Sequence, residues 1–123
     1  MRLRVQSYVV AGLLAWLLVM SSPLPSVGEE ISADNVSRYL GDGRWNWTVF
    51  IRAAEKTLHE IDCVEYTLHP TFPKPVQQTC APGDPRQPFA LSANGWGEFQ
   101  IRIRVFRKDG GYKDLTHNLK LSK

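Results

Sequence analysis

Apolar and polar residues alternate with a period of two through several short stretches of the chain. In "RWNWTVFIRAA", Trp45, Trp47, Val49 and Ile51 share one face and Asn46, Thr48, Phe50 and Arg52 the other. Successive side chains of an extended strand point to opposite sides, so this pattern predicts a half-buried β-strand. The clearest alternation is in "EFQIRIRVF", with Phe99, Ile101, Ile103 and Val105 inward and Gln100, Arg102 and Arg104 outward. "CVEYTL" groups Val64, Tyr66 and Leu68; "VQQTC" and "FALS" predict shorter strands; "LTHNLKL" closes the chain with Leu119 and Leu121 on one face. "APGDPRQP" reads as loop on its Pro and Gly content, "ANGWG" and "KDGG" as turns. "EKTLHEI" admits one helical turn, and "ISADNVSRYLGDG" a turn or two of helix with Ser32 or Asp34 as cap and Gly41 as stop. Many short strands with turns between them, and no long helical pattern, predict an all-β, immunoglobulin-like antiparallel β-sandwich.

The N-terminus follows a different pattern. Arg2 and Arg4 precede an apolar run over residues 8 to 20, which breaks at "SSPLPSVG" before Glu29 and Glu30. Positive start, short apolar run and small residues at the end are the order of a signal peptide, with Ser26 and Gly28 suiting cleavage after Gly28. The run is shorter than the roughly 20 residues that cross a bilayer. An uncleaved N-terminal membrane anchor is the alternative, and no cysteine near the cut supports a lipid anchor. The expected organisation is a signal peptide at 1–28, a connecting segment at 29–43 and the sandwich at 44–123, exported to the periplasm or beyond the cell.

Removing residues 1–28 changes the charge balance. Of the 15 Lys and Arg only Arg2 and Arg4 leave, against none of the 12 acids, so the net charge of +3 falls to +1. A near-neutral domain offers no electrostatic argument for nucleic acid, and membrane contact is expected only if the N-terminal segment stays. The outward row Arg102 and Arg104, with Arg107, Lys108 and Lys113 near the next turn, suits an acidic surface or simply a solvated strand face. "NVS" at 35–37 and "NWT" at 46–48 fit the glycosylation pattern, which has meaning only in a eukaryotic secretory pathway.

The two cysteines, Cys63 and Cys80, both follow the export segment. In an oxidising compartment an even count invites a disulfide, and in the cytosol two buried thiols would be the plainer reading. Their midpoint falls between Thr71 and Phe72, within "LHPTFPKP". If that stretch is a hairpin tip, the two cysteines face each other across it at a separation a disulfide tolerates.

Strand direction then places the loops. With 63–68 running up, 76–80 runs down, 88–92 up and 98–106 down, so loops 69–75 and 93–97 share one end of the sandwich. That end gathers His69, Thr71, Phe72, Gly95, Trp96 and Gly97. Aromatic rings and a hydroxyl on a rigid scaffold, beside residues too small to block a ligand, suit a binding site. Equally, Phe72 and Trp96 could do no more than close the end of the core.

"LHPTFPKPV", "PFALSANGWGEFQIRIRVF" and "HNLKL", in this order, resemble the YEATS domain family. Its pattern is a strand ending in LHxSF or LHxTF with a following NP or KP, then PF, then GWGEF leading into a strand; "WNWTVFI" is similar to its first strand. The resemblance spans residues 44–121. It implies an immunoglobulin-like sandwich and, from the eukaryotic members, a reader of acylated lysine on histone tails. By the same resemblance, Phe72 and Trp96 would be two aromatic walls around a flat acyl amide. Thr71 would supply a hydroxyl to that amide, His69 would stand at the matching histidine, and Gly95, Gly97 and Phe99 would complete the second loop. A neutral, polarisable acyl-lysine suits ring faces, whereas a charged lysine would lose its hydration there with no carboxylate to replace it. The export segment, the cysteine pair and the eight-residue "APGDPRQP" connection differ from the nuclear readers and are similar to a prokaryotic, exported branch.

Two function classes follow: a non-enzymatic binding module for an acylated lysine or similar amide, or an extracytoplasmic domain that holds a protein partner and no small ligand. An enzyme is not expected. His59, His69 and His117 lack metal-ligand spacing, there is no G-x-S-x-G nucleophile and no phosphate loop, and no cofactor is implied.

Overall fold

Period-two alternation on successive strands has one economical outcome, two sheets with their apolar faces together. The computed structural model describes residues 30–123, so the segment read as a signal peptide lies outside the described residues. The sandwich is built of β1 (Ser32–Gly41), β2 (Arg44–Arg52), β3 (Ile61–Thr67), β4 (Val76–Thr79), β5 (Leu91–Gly95), β6 (Gln100–Arg107) and β7 (Tyr112–Asn118), with one helical turn α1 (Glu55–Leu58) between β2 and β3. One sheet has the order β1-β2-β5 and the other β4-β3-β6-β7, and every pairing is antiparallel.

The inward faces are those the alternation picked out. Trp47, Val49 and Ile51 of β2 meet Val64 and Tyr66 of β3 and Ile101, Ile103 and Val105 of β6 in one buried cluster, which Leu68, Phe89 and Leu119 complete. Ile61 and Val64 are both buried although three residues apart, because a bulge between Ile61 and Cys63 shifts the register against β6. An extra residue in one strand is the way a period of two is reset.

Residues 31–43 are the largest departure from the expected elements. They form an edge strand, not a helical turn, paired with β2 from Ser32↔Arg52 to Tyr39↔Trp45. The connection is the "GDG" turn, where Gly41, Asp42 and Gly43 have φ of 96°, 56° and 71°. Such left-handed residues fit a hairpin reversal, for which Asp-Gly is the strongest short signal. Gly41 ends a strand, and the sandwich reaches back to Ser32.

The "FALS" strand starts two residues later than its sequence suggests, at Leu91. Phe89 takes a left-handed φ of 53°, outside the extended range, and turns its ring fully into the core. Its carbonyl accepts the Tyr66 hydroxyl at 2.6 Å, its N–H donates to the Pro82 carbonyl, and Ile51 N–H donates to the Pro88 carbonyl. These bonds hold the long 80–90 connection against β2 and β3. Phe50, on the polar side of the β2 alternation, is also buried, with the Arg52 guanidinium 5.4 Å from its ring centre.

Cys63 and Cys80 are bonded, with Cα atoms 4.0 Å apart. The β3–β4 register of Val64↔Thr79 through Thr67↔Val76, extended by Leu68 N–H to the Pro75 carbonyl at 2.7 Å, centres the hairpin between residues 71 and 72. The bridge therefore clamps the base of the hairpin whose tip is "LHPTFPKP".

The charged face of the second sheet is partly self-satisfied. Arg104 forms a two-point bond to Asp114, at 2.7 and 2.9 Å, with the Tyr112 ring 4.1 Å beneath it.

Candidate functional site

Two loops from different sheets meet at one end of the sandwich. The β3–β4 tip contributes His69, Thr71, Phe72 and Pro73; the end of β5 and the turn into β6 contribute Asn94, Gly95, Trp96, Gly97, Glu98 and Phe99; Arg44 joins them from the start of β2. Together they line a cavity of about 350 Å³, within the usual size of small-molecule sites. All seven residues singled out in the sequence, His69, Thr71, Phe72, Gly95, Trp96, Gly97 and Phe99, lie on this cavity. Arg44, Pro73, Asn94 and Glu98 were not singled out. Asn94 and Arg44 sit on exposed strand positions, where a polar residue is the default and carries no pattern.

The aromatic residues divide into a fixed floor and a free wall. Phe72 is half-buried, set edge-on to Trp47 with ring centres 6.2 Å apart and tilted against Phe99 at 5.5 Å. Phe99 is in turn edge-on to Trp47 at 6.0 Å and to His69 at 6.0 Å. Edge-to-face contacts of this kind fix ring orientation as well as burying area. Trp96 makes no ring contact within this group and is 68% exposed. Phe72 therefore does what both sequence readings allowed, closing the core with one edge and lining the cavity with the rest. Trp96 is not a core plug.

Beneath them the Trp47 indole N–H is fully buried and has no hydrogen-bond partner. The indole itself packs edge-on with the Phe72 and Phe99 rings. The missing side chain of Gly95 faces this spot: a Cβ there would stand 3.7 Å from Trp47 Nε1 and 3.8 Å from Phe72 Cζ, in ordinary contact. At Gly97 a Cβ would meet nothing within 4 Å.

The polar rim is organised by the hairpin. Thr71 N–H donates to His69 Nδ1 at 3.2 Å, and Thr71 Oγ1 lies 2.8 Å from the same nitrogen. A nitrogen that accepts from a backbone N–H carries no proton of its own, so the neutral ring holds its proton on Nε2 and the Thr71 hydroxyl hydrogen points at Nδ1. The hydroxyl oxygen keeps its lone pairs for another donor. Across the cavity, Arg44 Nε and Nη2 donate to Asn94 Oδ1 at 3.2 and 2.7 Å, with the guanidinium 5.6 Å from the Trp96 ring centre. Glu98 Oε2 accepts from Leu121 N–H at 2.8 Å, tying the cavity's carboxylate to the C-terminal segment. Among the described residues no three His, Cys, Asp or Glu side chains gather where they could hold a metal ion.

An immunoglobulin-like sandwich with an aromatic cavity at the tip of its "LHPTF" and "GWGEF" loops is the arrangement of a YEATS domain. The chain belongs to that family: the sequence pattern of the prokaryotic YEATS domain matches residues 45–120. The protein AF-9 homolog of Eremothecium gossypii is 34% identical over 110 residues, covering 78% of this chain and 50% of that protein. The Saccharomyces cerevisiae AF-9 homolog is 42% identical over 80 residues, covering 61% of this chain and 33% of that protein. The chain thus spans half or less of these curated relatives. Among solved structures, the crystal structure of yeast Yaf9 superposes with a TM-score of 0.62 at 26% identity, covering 79% of this chain and 73% of that one. The Yaf9 YEATS domain bound to H3K27ac superposes at 0.61 with 25% identity, covering 84% and 80%. The same domain recognising an H3K122suc peptide gives 0.60 at 25% identity, covering 82% and 80%.

Proposed function

We propose that this YEATS domain is a non-enzymatic reader of an acylated lysine or similar flat amide, working outside the cytoplasm, with the ligand between Phe72 and Trp96. The observation that carries the reading is the division of the aromatics: Phe72 braced against the core by Trp47 and Phe99, and Trp96 left exposed on the facing loop. A flat acyl amide has two faces to cover and one N–H and one C=O to satisfy. Stacking against the rings covers the faces, the Thr71 oxygen freed by His69 accepts the N–H, and the 95–97 segment that lines the cavity supplies backbone N–H groups to meet the carbonyl. An unmodified lysine would give up its hydration for ring faces and a neutral hydroxyl, so acylation is the feature being read. The yeast Yaf9 structures, with H3K27ac and H3K122suc peptides, support the ligand class.

Location rests on other grounds. The signal-like order of residues 1–28 and the Cys63–Cys80 disulfide both suit an oxidising compartment. A secreted acyl-lysine reader meets proteins or peptides other than nuclear histones.

The test is a tryptophan-fluorescence titration with peptides that differ only in acetylation or butyrylation of one lysine. Saturable binding of the acylated peptides alone, lost in Trp96→Ala, is expected. Equal response to the unmodified peptide would refute the reading and leave a protein-docking surface as the better account. Intact mass of the protein from the extracytoplasmic fraction tests location: loss of residues 1–28 is expected, and a mass retaining Arg2 and Arg4 would favour an anchored protein.

A further inference from the structure

We infer that Arg102, on the outer face of the second sheet, is a docking point for an acidic side chain that flanks the acyl-lysine; the inference rests on the acyl-lysine reading of the slot and goes on to name the sequence around the modified residue. Arg102 and Arg104 stand on the same face of β6, and their cross-strand neighbours differ. Arg104 lies between Glu65 of β3 and Asp114 of β7, and Asp114 takes its two-point bond. Arg102 lies between Thr67 and Thr116. It is exposed, and among the described residues no hydrogen bond, ion pair or ring contact engages it. All five guanidinium N–H groups are therefore open to a ligand, and the threonines on either side bring hydroxyls without a competing charge. Glu65 and Asp114 belong to the next row, where diagonal neighbours on a sheet stand about 7 to 8 Å apart, and Asp114 is already spent on Arg104.

This face runs on from the slot. Its groove, of about 590 Å³, is lined by Glu65, Thr67, Arg102, Arg104, Asp114 and Thr116. Thr67 comes just before the His69 end of β3, and Arg102 just after Phe99; the His69 and Phe99 rings meet at 6.0 Å on the wall of the slot. At about 3.3 Å per residue of extended strand, the Arg102 backbone is roughly 10 Å from that wall, a distance an extended peptide covers in about three residues. A ligand with its acyl-lysine between Phe72 and Trp96 that continues over this face therefore brings a side chain about two to four positions away onto Arg102. The chemistry that fits there is a carboxylate, which accepts two parallel N–H bonds from the guanidinium fork and further bonds from the threonine hydroxyls. A lysine or arginine at that position is repelled, and a neutral side chain gains little. Glu65 opposes the attraction and water screens it, so the preference is modest, about threefold to fivefold in affinity.

The experiment titrates the protein with peptides that carry one acetyl-lysine flanked by Gln, with Glu or Lys replacing the Gln residues on one side at a time. Glu on one side is expected to tighten binding about threefold to fivefold over Gln, and Lys to weaken it, with the difference shrinking as salt rises. In Arg102→Gln the ratio of Glu to Gln peptide should fall to about one. The Gln peptide should bind this variant as it binds the parent, because Arg102 is exposed and no buried contact is lost. Arg38→Gln removes an equal charge from an exposed position of the other sheet, and the Glu preference should survive it. Equal affinity for Glu and Gln peptides on both sides, or a preference that Arg102→Gln leaves intact or Arg38→Gln also abolishes, would overturn the inference while leaving the acyl-lysine reading standing. A Glu preference that Arg102→Gln removes but that ignores acetylation would keep Arg102 as a docking point for acidic residues and overturn the acyl-lysine reading. Binding of no acetylated peptide would overturn both.

Discussion

The Thr71 N–H and the Thr71 hydroxyl both meet one atom, His69 Nδ1, at 3.2 and 2.8 Å. Two residues of a Pro-rich tip thus fix each other's side chains, with the Phe99 ring edge-on to His69. Replacing Thr71 with Val keeps the shape and removes the hydroxyl, so a bound amide N–H would lose its acceptor. About a tenfold loss of acyl-peptide affinity is expected, from the cost of an unmet hydrogen bond in a closed site. Thr71→Ser should restore most of it. Both residues are exposed, so denaturation midpoints should stay within about 0.5 kcal/mol of the parent.

Trp96 and Phe72 should separate cleanly in a paired experiment. Truncating the 68% exposed Trp96 to Ala should abolish binding and change stability by less than about 0.5 kcal/mol, as surface substitutions do. Phe72→Ala should abolish binding too, but it strips contacts from Trp47 and Phe99. For a half-buried ring, a loss of about 2 kcal/mol is expected, below the range for full core aromatics. Urea denaturation measures both. A large stability loss in Trp96→Ala would return the site to a mere closure of the core.

The alternation of β2, β3 and β6 was legible because one face of each strand is buried and the other wet, so the residues record the sheet. β1 was not, because its sequence "SADNVSRYLG" is largely polar and its strand identity comes from the otherwise open edge of β2, together with a "GDG" turn that also looks like a helix stop. The β5 start depends on a left-handed Phe89, which no local preference favours and only the Tyr66 bond and core burial sustain. In the cavity, rings and glycines stood out in the sequence as unusual loop residues. Arg44 and Asn94 did not, since their partnership exists only once β2 and β5 pair at Asn46↔Asn94.

The disulfide should support the site through the hairpin. Cys63 and Cys80 are 17 residues apart in sequence and sit at the base of the tip that carries His69, Thr71 and Phe72. Constraining a loop of this length in the unfolded chain stabilises by about 3 kcal/mol. Replacing both cysteines with Ala should lower the unfolding free energy by about 2 to 4 kcal/mol. Alkylation of the native, non-reduced protein should find no free thiol.

Stability should fall on mild acidification through His117. Burial holds its imidazole below the ordinary value of 6.5, with Lys120 adding to the effect and Asp34 opposing it. Its Nε2–H donates to Asn35 Oδ1 at 2.7 Å, inside the lattice that ties β1 to Lys120. The unfolded chain therefore takes up the proton more readily than the folded one. The contribution is complete above pH 6.5 and is lost as pH falls through the lower folded value. His117→Gln, which keeps an N–H donor, should flatten the slope of unfolding free energy just below pH 6.5. Asp34 carries a like dependence at more acid pH. Desolvation works against its ionised form, but bonds from Asn35 N–H and Arg52 outweigh it and hold the carboxyl below 3.8.

Tyr66 and Phe89 provide a test of the scaffold apart from the site. Burial pushes the Tyr66 phenol far above its ordinary range, so it remains a donor to the Phe89 carbonyl at any pH the fold survives. That bond is the anchor of a residue held at φ 53°, a backbone region that costs about 1 kcal/mol or more for a bulky side chain. In Tyr66→Phe the ring still fills the core, but the carbonyl is left buried and unmet, and an unfolding free energy lower by about 1 to 3 kcal/mol is expected. The cavity lies on β5 residues beyond this anchor, at Asn94 to Trp96, and β5 stays paired to β2 from Trp45↔Gly95 to Val49↔Leu91. Acyl-peptide affinity of the folded Tyr66→Phe protein should therefore match the parent. A parallel loss of affinity would mean that the 80–90 connection positions the Trp96 wall, and that the ladder to β2 does not suffice to hold it.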